Sequence, residues 1–66
     1  MKTIHVNGEV KQTEMASLAC LVRSIQKDTS GLVLEYNGRI IREAEWANIE
    51  LYDDDVIEML RFVGGG

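Results

Sequence analysis

The groups best placed to do chemistry stand together at the end of this 66-residue chain: Gly64, Gly65 and Gly66, directly after the apolar stretch Val56 to Val63. Glycine loses more backbone entropy on ordering than any other residue, so the three are expected to form a flexible tail. Having no side chains, they can enter a channel too narrow for any other residue, and fully extended they reach roughly 10 Å. The carboxylate of Gly66 is then the expected reacting group. At neutral pH such a carboxylate is ionised (reference pKa about 3.3–3.7) and a poor acyl donor, so it must be activated before it can react. The plain alternative is a frayed terminus or a cloning remnant, and the residues upstream have to decide.

No motif upstream competes with that end. The sequence has no Walker-type phosphate loop, no Cys-x-x-Cys, no G-x-G-x-x-G and no well-placed Ser/His/Asp or Cys/His set. His5 has no Cys, His or second carboxylate at ligand spacing and reads as a surface histidine, so no metal site is expected. Cys20 has no adjacent His, Lys or Arg to activate it and reads as a small filler or an exposed thiol. Trp46 is read as an apolar clamp, not as a stacking platform for a nucleotide.

Size and charge exclude further classes. A chain of 66 residues makes one domain. Such a domain buries only about 60% of its extended surface, and a core that small rarely supplies more than about 3–5 kcal/mol. That leaves little room for an enclosed substrate pocket and favours a module acting through its surface or its end, not an enzyme. Seven Lys/Arg against eleven Asp/Glu give a formal net charge of −4, which argues against nucleic acid as a partner. Seven of the eleven acids, Glu43, Glu45, Glu50, Asp53, Asp54, Asp55 and Glu58, follow one another without an intervening Lys or Arg. They form either a solvated face or a docking surface for a basic partner. No apolar run approaches the roughly 20 residues of a membrane span, and Met1-Lys2-Thr3 leads into a strand pattern without a signal-peptide core. A single cysteine cannot form an internal disulfide. Together these features predict a cytoplasmic protein with no membrane partner.

The elements that must position the end are legible in order. Ile4 and Val6 alternate with polar neighbours as in a half-buried strand, Asn7-Gly8 signals a hairpin, and Glu9 to Thr13 returns as a more polar strand. Ser17 caps a helix whose apolar stripe is Leu18, Leu21, Val22 and Ile25, with Arg23, Gln26 and Lys27 on the other side and Gly31 as its stop. Leu32 to Tyr36 is a strand, Asn37-Gly38 a second turn, and Arg39 to Ile41 a short strand. Arg42 to Asn48 is expected to hold one helical turn, with Trp46 clamping it to the sheet edge. After the acidic turn Asp53-Asp54-Asp55, Val56 to Val63 is the last strand. That strand is apolar on both faces, Ile57 and Met59 pointing one way and Val56, Leu60 and Phe62 the other. This pattern suits a central strand with one face under the helix and one left open for docking.

Three stretches carry a resemblance that spans essentially the whole chain: Tyr36-Asn37-Gly38-Arg39-Ile40-Ile41 with Arg42-Glu43 and Trp46, then Leu51 to Glu58, then Phe62-Val63-Gly64-Gly65-Gly66. In order and spacing they resemble the ThiS family of thiamine-biosynthesis sulfur carriers, related to the MoaD-like and ubiquitin-like proteins. Two departures are the missing proline at Ile41-Arg42 and the third glycine, Gly64. The resemblance implies an α+β, β-grasp (ubiquitin-like) fold, a mixed sheet of four to five strands on one main helix. Its boundaries are a domain over residues 1–63 and a flexible functional tail over 64–66. It implies that a ThiF-like adenylyltransferase, using its own ATP and Mg²⁺, adenylates Gly66. A cysteine desulfurase or persulfide protein then supplies sulfur, and the thiocarboxylate serves a ThiG-like thiazole synthase. Gly64 and Gly65 would thread into the partner, with Leu60, Phe62, Asp53, Asp54 and Asp55 as docking candidates. Left open are the small subunit of molybdopterin synthase or a tRNA-thiolation carrier, a ubiquitin-like modifier of lysines, and a plain β-grasp binding module.

Overall fold

Two Asn-Gly turns shape the sheet in the computed structural model, which describes residues 1–61. Asn7 and Gly8 take φ of 50° and 82°, Asn37 and Gly38 φ of 51° and 86°. This is the doubly left-handed pair that lets a two-residue turn match the twist of its strands. A Cβ on Gly8 or Gly38 would meet nothing within 4 Å, so it is the backbone angle, not crowding, that calls for glycine. The first turn joins β1 (Lys2–Val6) to β2 (Glu9–Thr13), and the second joins β3 (Leu32–Tyr36) to β4 (Arg39–Ile41). Between the hairpins lies α1 (Leu18–Ile25), and after them come the one-turn α2 (Glu43–Trp46) and β5 (Val56–Arg61).

The five strands form one sheet in the order β2-β1-β5-β3-β4. β5 is central, parallel to β1 and antiparallel to β3. One face is covered. Ile4, Leu34, Ile57 and Met59 from the strands meet Leu18, Leu21 and Val22 from α1 in a single core. The N-terminus of α1 is satisfied by Ser17, whose Oγ accepts from the Cys20 N–H at 3.1 Å. The segment around Glu50 lies antiparallel beside Ser17. There the Leu18 N–H donates to Ile49 O at 2.9 Å and the Leu51 N–H to Ala16 O at 2.8 Å. Trp46 is 1% exposed, and its Nε1–H donates to Ile41 O at 3.2 Å. The clamp expected of it is present.

The helix is shorter than its sequence pattern predicts. It ends at Ile25, and Gln26 is already extended. Its continuation is outcompeted by local polar bonding: Ser24 Oγ donates back to Leu21 O at 2.6 Å, and the Asp28 carboxylate accepts from the Ser30 N–H at 3.0 Å. Gly31, at φ 69°, therefore ends the loop that leads to β3 and not the helix itself. Ile25, expected in the core stripe, sits at the helix end and is 39% exposed.

Candidate functional site

The strand that leads to the glycines has the two faces its sequence predicts. Ile57 and Met59 are buried, while Val56 and Leu60 are 45% and 53% exposed. The β5 strand ends at Arg61. Phe62, Val63 and the tail glycines Gly64, Gly65 and Gly66 lie outside the described residues, as does the boundary expected after residue 63.

Cross-strand register defines the open face around β5. Val56 lies beside His5, which opposes Val10; Leu60 opposes Val33; and Glu58 opposes Glu35, whose other neighbour is Ile40. Val10 and Ile40 are strongly exposed. The result is an apolar surface with two carboxylates facing each other near its middle, an arrangement that is mildly destabilising in a sheet. Among the described residues neither carboxylate has an ion-pair partner, the only such pair being Arg61 with Asp28. Val10, Val33, Glu35 and Ile40 were missing from the sequence-derived docking set. Alternation shows that each is on a strand, but only the pairing register puts them on one sheet face with Val56, Glu58 and Leu60.

The acidic turn divides differently from its sequence reading. Asp53 and Asp54 are exposed, and Asp53 Oδ1 accepts from the Thr3 N–H at 2.8 Å. Asp55 is a correction to the docking set, being only 6% exposed. Its carboxylate accepts from Tyr36 O–H at 2.7 Å, Asn37 Nδ2–H at 3.1 Å and the Tyr52 N–H at 2.8 Å. Those bonds compensate its burial and leave it nothing to offer a partner. The turn also lies at the start of β5, about 20 Å from the strand's far end at roughly 3.3 Å per residue.

The Asp55 network has a measurable consequence. Burial first, and then the bond donated to Asp55, push the Tyr36 phenol from 10.0 up to about 12. The folded state therefore keeps this proton to higher pH than the unfolded chain does. The associated stability is fully present below pH 10 and is lost as the pH rises from 10 towards 12. Urea unfolding followed across that window should show the decline in wild type and a shallower one in Tyr36→Phe. At neutral pH the variant should be less stable by about 1–2 kcal/mol. Equal pH slopes in the two proteins would contradict the assignment.

Among the described residues no three His, Cys, Asp or Glu side chains gather as a metal site would require. Cys20 is exposed. No described helix is long and apolar enough to cross a membrane.

A mixed five-stranded sheet wrapped on one helix, with the first and last strands parallel at its centre, defines a β-grasp protein of the ubiquitin-like type. Comparison with known proteins narrows the class. Residues 3–66 match the model of the ThiS family. The sulfur carrier protein ThiS of Bacillus subtilis (strain 168) is 35% identical over 65 residues, which cover 96% of this chain and 98% of that protein. A protein of Trieres chinensis named uncharacterized protein ycf40 is 38% identical over 66 residues, covering 98% of this chain and 90% of its own length. The crystal structure of the thiamine biosynthesis protein ThiS from Geobacter metallireducens aligns with a TM-score of 0.75 at 26% identity, over 97% of this chain and 99% of that one. The chain belongs to the ThiS family, whose members are small sulfur carriers and not enzymes.

Proposed function

We propose that this chain carries sulfur for the thiazole moiety of thiamine on the carboxylate of Gly66. The observation that carries this reading is the family match over residues 3–66, which runs from the first strand through all three glycines. A ThiF-like adenylyltransferase holding ATP and Mg²⁺ activates the end. A carboxylate oxygen attacks the α-phosphorus, the bond to pyrophosphate breaks, and an acyl-adenylate forms. The terminal sulfur of a persulfide then attacks the carbonyl carbon and AMP departs. A thiol cleaves the S–S bond of the resulting acyl disulfide and leaves the thiocarboxylate, which a ThiG-like thiazole synthase consumes. Gly64 and Gly65 thread the end into each partner, and ATP and Mg²⁺ belong to the activating enzyme.

Docking falls to the open sheet face. Ordering the tail costs roughly 1–2 kcal/mol per residue, which contacts elsewhere must offset. Leu60 with Ile40 and Val33 supplies apolar area, and Glu35 and Glu58 suit a partner that presents Arg or Lys. Leu60→Asp should raise the KM of the activating enzyme for this chain about tenfold with kcat retained. Its thermal unfolding should hardly move, because Leu60 is 53% exposed. An unchanged KM would take Leu60 out of the interface.

The functional reading is tested by pyrophosphate–ATP exchange with a ThiF-like enzyme, followed by transfer to candidate acceptors. Exchange should depend on this chain, and thiazole synthase should consume the thiocarboxylate. Absence of chain-dependent exchange would overturn the reading. Consumption by the large subunit of molybdopterin synthase alone would reassign the acceptor.

A further inference from the structure

β5 is supported unequally along its two edges. It pairs with β3 as far as Leu32 opposite Arg61, but with β1 only at His5–Val56 and Val6–Ile57. Past Ile57 the β1 edge would be left bare. Asn7 fills the next place from its left-handed position in the turn (φ 50°). Its Oδ1 accepts from the Met59 N–H at 2.7 Å and its Nδ2–H donates to Met59 O at 3.4 Å. One side-chain amide thus serves β5 as the next residue of a strand would.

Two residues further on, Arg61 holds the opposite side. Alternation puts its side chain on the helix side of the sheet, with Ile57 and Met59. There α1, ending at Ile25, is too short to cover it. The guanidinium takes that space: Nη1 donates to Ser30 O at 2.8 Å, and Nη2 donates to Gln26 Oε1 at 3.3 Å and also to Asp28 O. The Asp28 carboxylate lies 3.9 Å away, and the Arg61 side chain is 34% exposed. Three bonds to a rigid planar fork fix its orientation in a way that a lone charge pair does not.

We propose that Arg61, with Asn7 as its counterpart across β5, is a positioning residue for the reaction at Gly66. Resting on the sulfur-carrier reading above, it fixes the place and heading of the last residue of β5, from which the sequence runs on to Gly66. Five residues span at most about 17 Å. Shifting or turning the end of β5 shifts the volume within reach of Gly66, and misplacement of a reacting group by about 1 Å can cost a hundredfold in rate. The result is a smaller fraction of docked complexes with the carboxylate at the activating phosphate, which lowers kcat and not KM.

The test is steady-state adenylation of the full chain by a ThiF-like enzyme, comparing wild type with Arg61→Met and Asn7→Gly. Methionine keeps an apolar stem and loses the donors, and glycine keeps the left-handed turn and loses the amide. Each variant should lower kcat about tenfold with KM unchanged. Ile41→Val, a core change of about 0.5–1.5 kcal/mol, provides the control for stability and should keep wild-type kcat. A kcat at the wild-type level in Arg61→Met, or a loss no greater than in Ile41→Val, would reduce Arg61 to a staple of the 26–30 loop. A raised KM with intact kcat would make it a partner contact instead. Either result overturns the positioning role while leaving the sulfur-carrier reading standing. A wild-type chain that is not adenylated would overturn both.

Discussion

Deleting Gly65 and Gly66 is expected to abolish ATP-dependent activation and to leave the thermal midpoint within about 3 °C of wild type. The two halves of this result have separate causes. Every buried residue of the described core lies between Ile4 and Met59, and two glycines carry no side chain to bury, so the deletion is expected to leave that core intact. On the proposed function, activation is lost because Gly66 supplies the acyl group that receives AMP, and the shortened chain would end on Gly64, without the narrow lead proposed to carry a carboxylate into a channel. Circular dichroism melts and pyrophosphate exchange on the same preparations measure both halves. A drop in midpoint of about 10 °C or more would show that the end is structural. Retained exchange would show that Gly66 is not the acceptor of AMP.

Trp46→Ala has the largest expected effect on the fold. Trp46 is 1% exposed and is among the largest fully buried side chains. It also donates from Nε1 to Ile41 O at 3.2 Å, which ties α2 to the end of β4. Truncation removes the ring, leaves a cavity that a small sheet cannot collapse, and leaves that carbonyl without its donor. Such a change costs about 3–5 kcal/mol, comparable with the whole stability of a core this size, about 3–5 kcal/mol. The variant should be largely unfolded at room temperature by circular dichroism. Trp46→Phe keeps most of the volume, loses the bond, and should remain folded with a cost of about 1–3 kcal/mol. A Trp46→Ala protein that melts within a few degrees of wild type would place the ring at the periphery and not in the core.

Much of this molecule could be read from local residue chemistry. Asn7-Gly8 and Asn37-Gly38 announce hairpins because few other pairs tolerate two consecutive left-handed residues, and both are realised. Ser17 is legible as a cap and Trp46 as a clamp for similar reasons. The features that sequence missed depend on partners distant in the chain. α1 stops early because Ser24, Asp28 and Ser30 bond locally, and because Arg61, some thirty residues away, bonds two of the loop's carbonyls. Asp55 looked like part of a solvated acidic run. Its burial follows from Tyr36 and Asn37, which nothing in the string Asp53-Asp54-Asp55 foretells. That the sheet would be mixed came from family resemblance and not from alternation, which is blind to strand order; β1 and β5 form its parallel pair in the fold. The proposed docking face was half legible: Leu60 was readable on its own strand, whereas Glu35 and Ile40 needed the register.

The central claim is that Gly66 becomes a thiocarboxylate. It is tested most directly by intact mass spectrometry of the chain after incubation with a ThiF-like enzyme, ATP, Mg²⁺, a persulfide donor and a thiol. The expected result is a mass gain equal to one oxygen exchanged for one sulfur, located by fragmentation on Gly66 and absent when ATP is omitted. No ATP-dependent change with a competent enzyme, or a gain seen only as covalent adducts to other proteins, would contradict it.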